Sequence, residues 1–222
     1  EERYIHNRTA LQMELLQARI NPHLLYNTMA AISWNSKKTR HEEVHKVSNE
    51  LSRFYKHFLN HGVMISKVSD EISMIENYAT IMKFTYNMQF DMSILISDEI
   101  KVQYCPNLFL QPIVENAIVH GLRVKEQTDG ILSVCGYEES GKMRFVIRDN
   151  GVGIPPQKLD EIFEDREPVS SYGLANIRRR LEFYYRNEFE MDIVSKPGTG
   201  CEVRISIPIL PFTELDALIR LE

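Results

Sequence analysis

Residues 110–122, LQPIVENAIVHGL, read as one strongly apolar helix that Glu115, Asn116 and His120 interrupt. Asn116 and His120 stand four apart and so share a helix face. An amide oxygen there can ligate a hard cation such as magnesium, and an imidazole one turn on can meet phosphate oxygens. Taken alone, the stretch reads equally as a polar helix face turned to water.

Two stretches downstream carry chemistry of the same kind. RDNGVGIPP, 148–156, directly follows a predicted strand and puts Asp149 at its end. Gly151 and Gly153 let the backbone come close to a flat ligand. The carboxylate can accept a hydrogen bond from an exocyclic amine such as that of adenine. By itself, Asn150-Gly151 is also a good turn signal. SSYGLANIRRRLEFYY, 170–185, opens a helix from a Ser/Gly loop, and free N–H groups at such an end suit a phosphate. Between the two lies QKLDEIFEDREPVSS, 157–171, which reads as a mobile cover or as a plain surface loop.

Around these sites the pattern alternates. FDMSILIS (90–97), ILSVCGY (131–137), KMRFVIRD (142–149), MDIVS (191–195) and CEVRISIPI (201–209) read as strands. Helical stretches at about 107–122 and 173–187 separate them. Strands and helices in this order imply an α+β fold in which helices cover one face of a mixed sheet.

The first third of the chain is different in texture. Apolar or small residues recur in steps of three and four: Leu11, Leu15, Ala18, Pro22, Leu25, Met29 and Ile32. That is a heptad seam. After NSKKTRHEE a second helix follows in the same rhythm, with Val44, Val47, Leu51, Phe54 and Phe58. Two such helices cannot bury both stripes alone, so a four-helix bundle of two copies is expected; packing of the hairpin on the rest of its own chain is the alternative. Within the first helix, RINPHLLYNTM (19–29) sets Pro22 beside His23. The proline should cost about 3 kcal/mol in a helix interior and bend it where the Ala18 carbonyl loses its partner. Leu16, Ile20, His23, Asn27 and Ala30 form a stripe beside the seam, which leaves His23 at the bundle surface. Ser69 or Asp70 is expected to cap a third helix running to about Asn87.

The 222 residues are 43% hydrophobic and 26% charged, as in a folded globular chain. A formal net charge of -5 argues against a nucleic-acid partner. Cys105, Cys135 and Cys201 are widely spaced, which fits reduced thiols rather than a disulfide framework or zinc site. No apolar run approaches the roughly 18 residues of a membrane span, and no signal peptide is visible. The reading is of the soluble part of a longer protein.

Taken in order, the motifs resemble the ATPase domain of histidine kinases, the Bergerat or GHKL fold shared with gyrase B and a heat-shock chaperone. VENAIVHG resembles its N box, DNGVGIP its DxGxG motif, YGLANIRRRL its GL-x-N-x-x-x-R-L motif, and GTGCEVRISIP its closing glycine motif and final strand. LQARINPHLLYNT resembles the Q-x-x-I-N-P-H-F-L-Y-N signature of LytS/YesM-type sensor histidine kinases. The likeness runs from about residue 11 to 208.

The resemblance implies a helical hairpin for dimerisation and phosphotransfer (1–64), an α/β-sandwich ATP-binding domain (65–210) and a C-terminal tail (211–222). His23 would be the phosphoacceptor and Asn27 would serve in dephosphorylating the regulator. Asn116 would be the magnesium ligand and Asp149 the adenine-reading carboxylate. Gly151, Gly153, Gly173 and Leu174 would shape the nucleotide pocket, with His120, Asn176 and Arg180 near the phosphates or supporting a lid. That lid would span Pro155 to Tyr172, with Phe163 as its latch. The implied activity is Mg2+- and ATP-dependent autophosphorylation of His23 and transfer to an aspartate of a response regulator. The implied setting is a homodimer, in the cytoplasmic region of a bacterial membrane sensor. Three departures stand out: Leu24 where the family has Phe, Ser171 for a phosphate-loop glycine, and Cys201 where Thr is common. The last two leave room for a catalytically weak scaffold of the same fold. A superfamily ATPase without phosphotransfer is the remaining alternative.

Overall fold

The computed structural model describes residues 22–37, 40–59, 65–125, 129–163 and 173–215. The chain divides into two compact units, Glu1–His61 and Gly62–Glu222.

In the first unit, α1 (Pro22–Ser36) and α2 (His41–Leu59) pack as a hairpin. On α2 the expected seam is the buried one, with Val47, Leu51 and Phe54 in the core. Acidic Glu42 and Glu43 occupy its first turn, where they complement the positive end of the helix dipole. On α1 the expected seam is not the one the hairpin covers. Leu24, Thr28 and Asn35 are buried, whereas Leu25 and Ile32 are half-buried and Met29 is exposed. The reason is that α1 is apolar on several faces, and a single partner helix covers only one stripe. Thr28 is tolerated in the core because its hydroxyl donates to the Leu24 carbonyl at 2.8 Å, and the Asn35 amide likewise donates to Ala31 at 2.9 Å. Leu11, Leu15, Leu16, Ala18 and Ile20 lie outside the described residues, as does the bend expected at the Ala18 carbonyl; so does the side chain of Phe58.

The second unit opens with β1 (Ile65–Lys67), α3 (Val68–Thr85), β2 (Phe90–Ile96), the single turn α4 (Asp98–Lys101) and β3 (Tyr104–Pro106). Neither Ser69 nor Asp70 is the N-cap of α3. The helix begins earlier, after Lys67, and Asp70 accepts the Lys67 N–H from the third position at 3.3 Å. Then come α5 (Gln111–Asn116), a π-helical turn (Ala117–Leu122), α6 (Arg123–Lys125), β4 (Gly130–Glu139) and β5 (Lys142–Asp149). They are followed by α7 (Pro156–Phe163), α8 (Gly173–Tyr185), β6 (Glu190–Lys196) and β7 (Gly200–Pro208).

Five strands form one mixed sheet in the order β2-β4-β5-β7-β6, parallel between β2 and β4 and antiparallel elsewhere. Each expected strand is present. A short ribbon of β1 and β3 is additional, too brief to leave a period in the sequence. Leu132, Val134, Met143, Phe145, Ile147, Val203 and Ile205 are buried on one face, while Ser133, Arg148, Glu202 and Arg204 on the other are half-buried or exposed. Helices α3, α5 and α8 supply the opposing apolar layer, through Ile75, Met82, Ile113, Ile177 and Leu181. At β5 the ring of Phe109 meets Phe145 edge-on, with centroids 5.2 Å apart.

The stretch 107–110, expected as helix, is instead an irregular connection gripped from two sides. The wholly buried Glu71 of α3 accepts N–H groups from Leu108, Phe109 and Leu110 at 2.6, 2.9 and 3.2 Å, and the Ser66 hydroxyl at 3.0 Å. Arg180 of α8 donates to the carbonyls of Leu108, at 3.0 Å, and Asn107. Residues 212–215 form a helical turn that docks on this unit, with Leu215 buried and the Phe212 ring 5.1 Å from that of Tyr104. The start of the expected tail is therefore part of the domain, and 216–222 lie outside the described residues. Among the described residues no helix is long and apolar enough to cross a membrane.

Candidate functional site

The helix carrying Asn116 and His120 does not stay α-helical. Beyond Asn116 it widens into the π turn, which holds His120 and Gly121. Such turns free carbonyls from the regular ladder, and here the Gly121 carbonyl accepts the Val152 N–H at 3.2 Å. That bond draws the loop after β5 against the helix. Contact is so close that a Cβ on Gly151 would lie 2.3 Å from the Gly121 carbonyl carbon, so only glycine fits. Gly153 is required for a second reason: its φ is +71° and a Cβ would meet the Lys196 carbonyl at 2.3 Å.

Asn150 explains why the hairpin-turn reading of Asn150-Gly151 fails. Its side chain accepts the Ile131 N–H at 2.7 Å and donates to the Asp129 carbonyl at 2.9 Å, fastening the start of β4. The chain after β5 does not return as a neighbouring strand but runs on into α7.

Between these elements opens a cavity of about 560 Å³, a size ordinary for small-molecule sites. Asn116, His120, Asp149, Gly153, Gly173 and Leu174 all line it. Asp149 is buried, with its Oδ1 accepting the Gly151 N–H at 2.8 Å. Burial pushes its carboxyl up to about 6, against the pull of the Gly151 and Cys201 N–H groups and of Lys125. An acid in this state is an economical reader of a ligand amine, because a donor arriving in the cavity relieves the cost of the buried charge. Also on the cavity, the Asn116 Nδ2 is buried without a hydrogen-bond partner among the described residues. A Cβ on Gly173 would approach that nitrogen to 3.0 Å, so glycine leaves the amide open to the cavity. An orphaned amide beside open space fits a site where Oδ1 faces a cation and the NH2 group a phosphate oxygen. Among the described residues there is no cluster of three metal-ligating His, Cys, Asp or Glu side chains, so a cation here would keep most of its shell from water and ligand.

Three expected residues stand elsewhere. Gly151 shapes the cavity from behind, through its packing on Gly121, without lining it. Asn176 is exposed on α8 and does not line the cavity. Arg180 does not line it either, since its guanidinium is spent on the 107–108 carbonyls. Sequence reading missed Gly121 and Lys158, both on the cavity wall. Gly121 was visible beside His120, whereas nothing in 157–171 singled out a lysine. Cys201 also lines the cavity, and burial raises its thiol to about 11, so it is neutral there. Ser171, Tyr172 and the side chain of Phe163 lie outside the described residues, as does the far part of the expected lid.

His23 and Asn27 belong to α1 of the first unit. His23 is exposed, and its Nδ1 lies 2.9 Å from the Asn27 Nδ2.

Residues 11–90 match the family model described as histidine kinase, and 106–211 that of the histidine kinase-, DNA gyrase B- and HSP90-like ATPase. Among curated proteins, the sensor histidine kinase YesM of Bacillus subtilis is 28% identical over 197 residues, 89% of this chain and 33% of YesM. The Escherichia coli sensor histidine kinase YpdA is 30% identical over 200 residues, covering 89% of this chain and 34% of YpdA. The Bacillus subtilis protein YwpD is 30% identical over 209 residues, 92% of this chain and 73% of YwpD. The chain thus spans about a third of the length of YesM and YpdA. Among solved structures, the histidine kinase domain of a blue-light activated kinase from Erythrobacter litoralis superposes with a TM-score of 0.53 at 18% identity, covering 98% of this chain and 99% of that one. The Acinetobacter baumannii histidine kinase AdeS gives 0.50 at 14% identity, over 77% and 79% of the two chains. At such identities the superpositions speak for the fold.

Proposed function

Because the chain belongs to the histidine kinase family, we propose that it binds ATP in the cavity of its second unit and transfers the γ-phosphoryl group to His23. From His23 the group passes to an aspartate on a response regulator. The observation that carries this reading is the pairing of a buried carboxylate, Asp149, with an orphaned amide, Asn116, on one glycine-lined cavity. Asp149 accepts the adenine amine. Asn116 offers Oδ1 to magnesium and its NH2 to the phosphates, while Gly173 keeps that amide uncovered. Bound Mg2+ supplies neutralisation of the charge that spreads over the phosphoryl oxygens. His120 and Lys158, which also line the cavity, add donors for those oxygens. Cys201 narrows the cavity no more than a threonine and carries no charge, so the departure from the family pattern is compatible with binding.

The remaining assignments follow from the same reading. Two copies pair through the uncovered faces of α1. Asn27 also positions water when the phosphorylated regulator is returned to its resting state. The chain is the cytoplasmic catalytic region of a bacterial membrane sensor.

Labelled ATP and magnesium test the proposal directly. A label that is acid-labile and base-stable, and that His23→Ala removes, is the expected result. Absence of label on well-folded chain, with ATP at millimolar concentration, overturns it. Steady ATP hydrolysis indifferent to His23→Ala would point to an ATPase without phosphotransfer.

A further inference from the structure

His23 has no acidic neighbour in sequence to hold its ring. Leu24 is turned into the hairpin core at 4% exposure and carries no group that takes a proton. What the ring does have is Asn27, one helical turn on, whose Nδ2 faces Nδ1 at 2.9 Å. Nε2 lies across the ring from that contact, on an exposed residue. In a neutral imidazole one nitrogen bears the proton and the other the lone pair, and a partner held at one nitrogen biases which. A carboxamide offers an NH2 and an oxygen on nearly the same outline, so a half-turn about its terminal bond matches it to either tautomer.

We propose that Asn27 is a positioning residue that sets the tautomer of His23: with its carboxamide turned by half a turn from the orientation in which Nδ2 faces the ring, its Oδ1 accepts the Nδ1–H and leaves the lone pair of the exposed Nε2 for the phosphoryl group. The inference rests on the phosphotransfer reading above and gives Asn27 a part in the forward reaction. The step balances without a general base. The Nε2–P bond forms, and the bond from the γ-phosphorus to the bridging oxygen breaks with its electron pair leaving on ADP. The proton already on Nδ1 stays, now on a phosphoimidazolium whose positive charge faces the Asn27 oxygen. Its later loss to water needs no neighbouring carboxylate, which accounts for an apolar Leu24.

Nitrogen NMR of histidine-labelled chain, recorded without nucleotide and assigned with His23→Gln, reads the tautomer of His23. Phosphorus–nitrogen coupling after ATP addition reads which nitrogen is labelled. The expected result is a larger Nδ1–H fraction in the unaltered chain than in Asn27→Ala, and label on Nε2. Asn27→Ala should slow initial labelling about tenfold, the worth of one hydrogen bond to a charged group. Asn27→Asp, which keeps an acceptor oxygen in place, should restore most of the rate. If Asn27→Ala leaves both tautomer fraction and rate unchanged while the unaltered chain is labelled, this proposal alone falls. If the unaltered chain takes no label, the kinase reading falls and takes this one with it.

Discussion

At the scale of the residue, Asp149 is a buried carboxyl of the cavity held against the stability of its own domain. Its carboxyl is raised to about 6 in the folded chain against an ordinary 3.8, chiefly by burial. A folded state that binds the proton more tightly than the unfolded one loses stability as pH rises through the window from 3.8 to about 6. At neutral pH the ionised group therefore weakens the ligand-free domain. Asp149→Asn should raise the unfolding free energy of the nucleotide-free chain at pH 7 by about 1–3 kcal/mol, measured by urea denaturation. In the same change the one remaining oxygen is held by the Gly151 N–H, so the new NH2 group would meet the adenine amine donor to donor and should weaken ATP binding by about 10- to 100-fold. For the unaltered chain the binding sign is opposite to the stability sign. ATP affinity, followed by titration calorimetry, should fall as pH drops below about 6 and the carboxyl takes up its proton. Affinity flat from pH 5 to 8 would remove Asp149 from the contact.

At the scale of the element, the start of α5 is decided by residues far from it in sequence. The N-terminal N–H groups of a helix need partners, and Leu110 supplies no side-chain cap. Glu71, 37 to 39 residues earlier, accepts three of the N–H groups entering the turn, and Arg180 holds carbonyls of the same segment from α8. The clamp fixes where α5 begins and hence where Asn116 meets the cavity. Glu71→Ala leaves three N–H groups without an acceptor and should cost at least about 3 kcal/mol in urea denaturation of the chain. Glu71→Gln, which retains an acceptor oxygen, should cost less than half as much. Equal losses for the two would show that shape rather than hydrogen bonding holds the turn.

At the scale of the whole molecule, α1 exposes what a lone hairpin has no use for. Tyr26, Met29 and Trp34 are 71%, 57% and 65% exposed on a helix whose other stripe is already covered. A second hairpin laid on this face completes a four-helix bundle. Met29→Glu should therefore convert a sedimenting dimer into monomer while leaving the helical circular dichroism intact. An unaltered chain that stays monomeric from about micromolar to about millimolar concentration would rule the pairing out.

The sequence by itself determined the order of the sheet strands and the main helices, and it singled out Asn116, His120 and Asp149, which line the cavity, because both leave local patterns. Strand alternation has a period of two, glycine is the residue that takes the φ of +71° at Gly153, and Asn116 with His120 stand one turn apart in a single helical stretch. Tertiary structure alone decided which stripe of α1 is covered, that Arg180 braces a loop instead of the cavity, that the start of the tail docks through Leu215, and that Glu71 caps a distant helix. Each of these depends on which neighbours a side chain meets across the fold. Burial, and the shift of a carboxyl that burial causes, belongs to that neighbourhood and leaves no period in the chain.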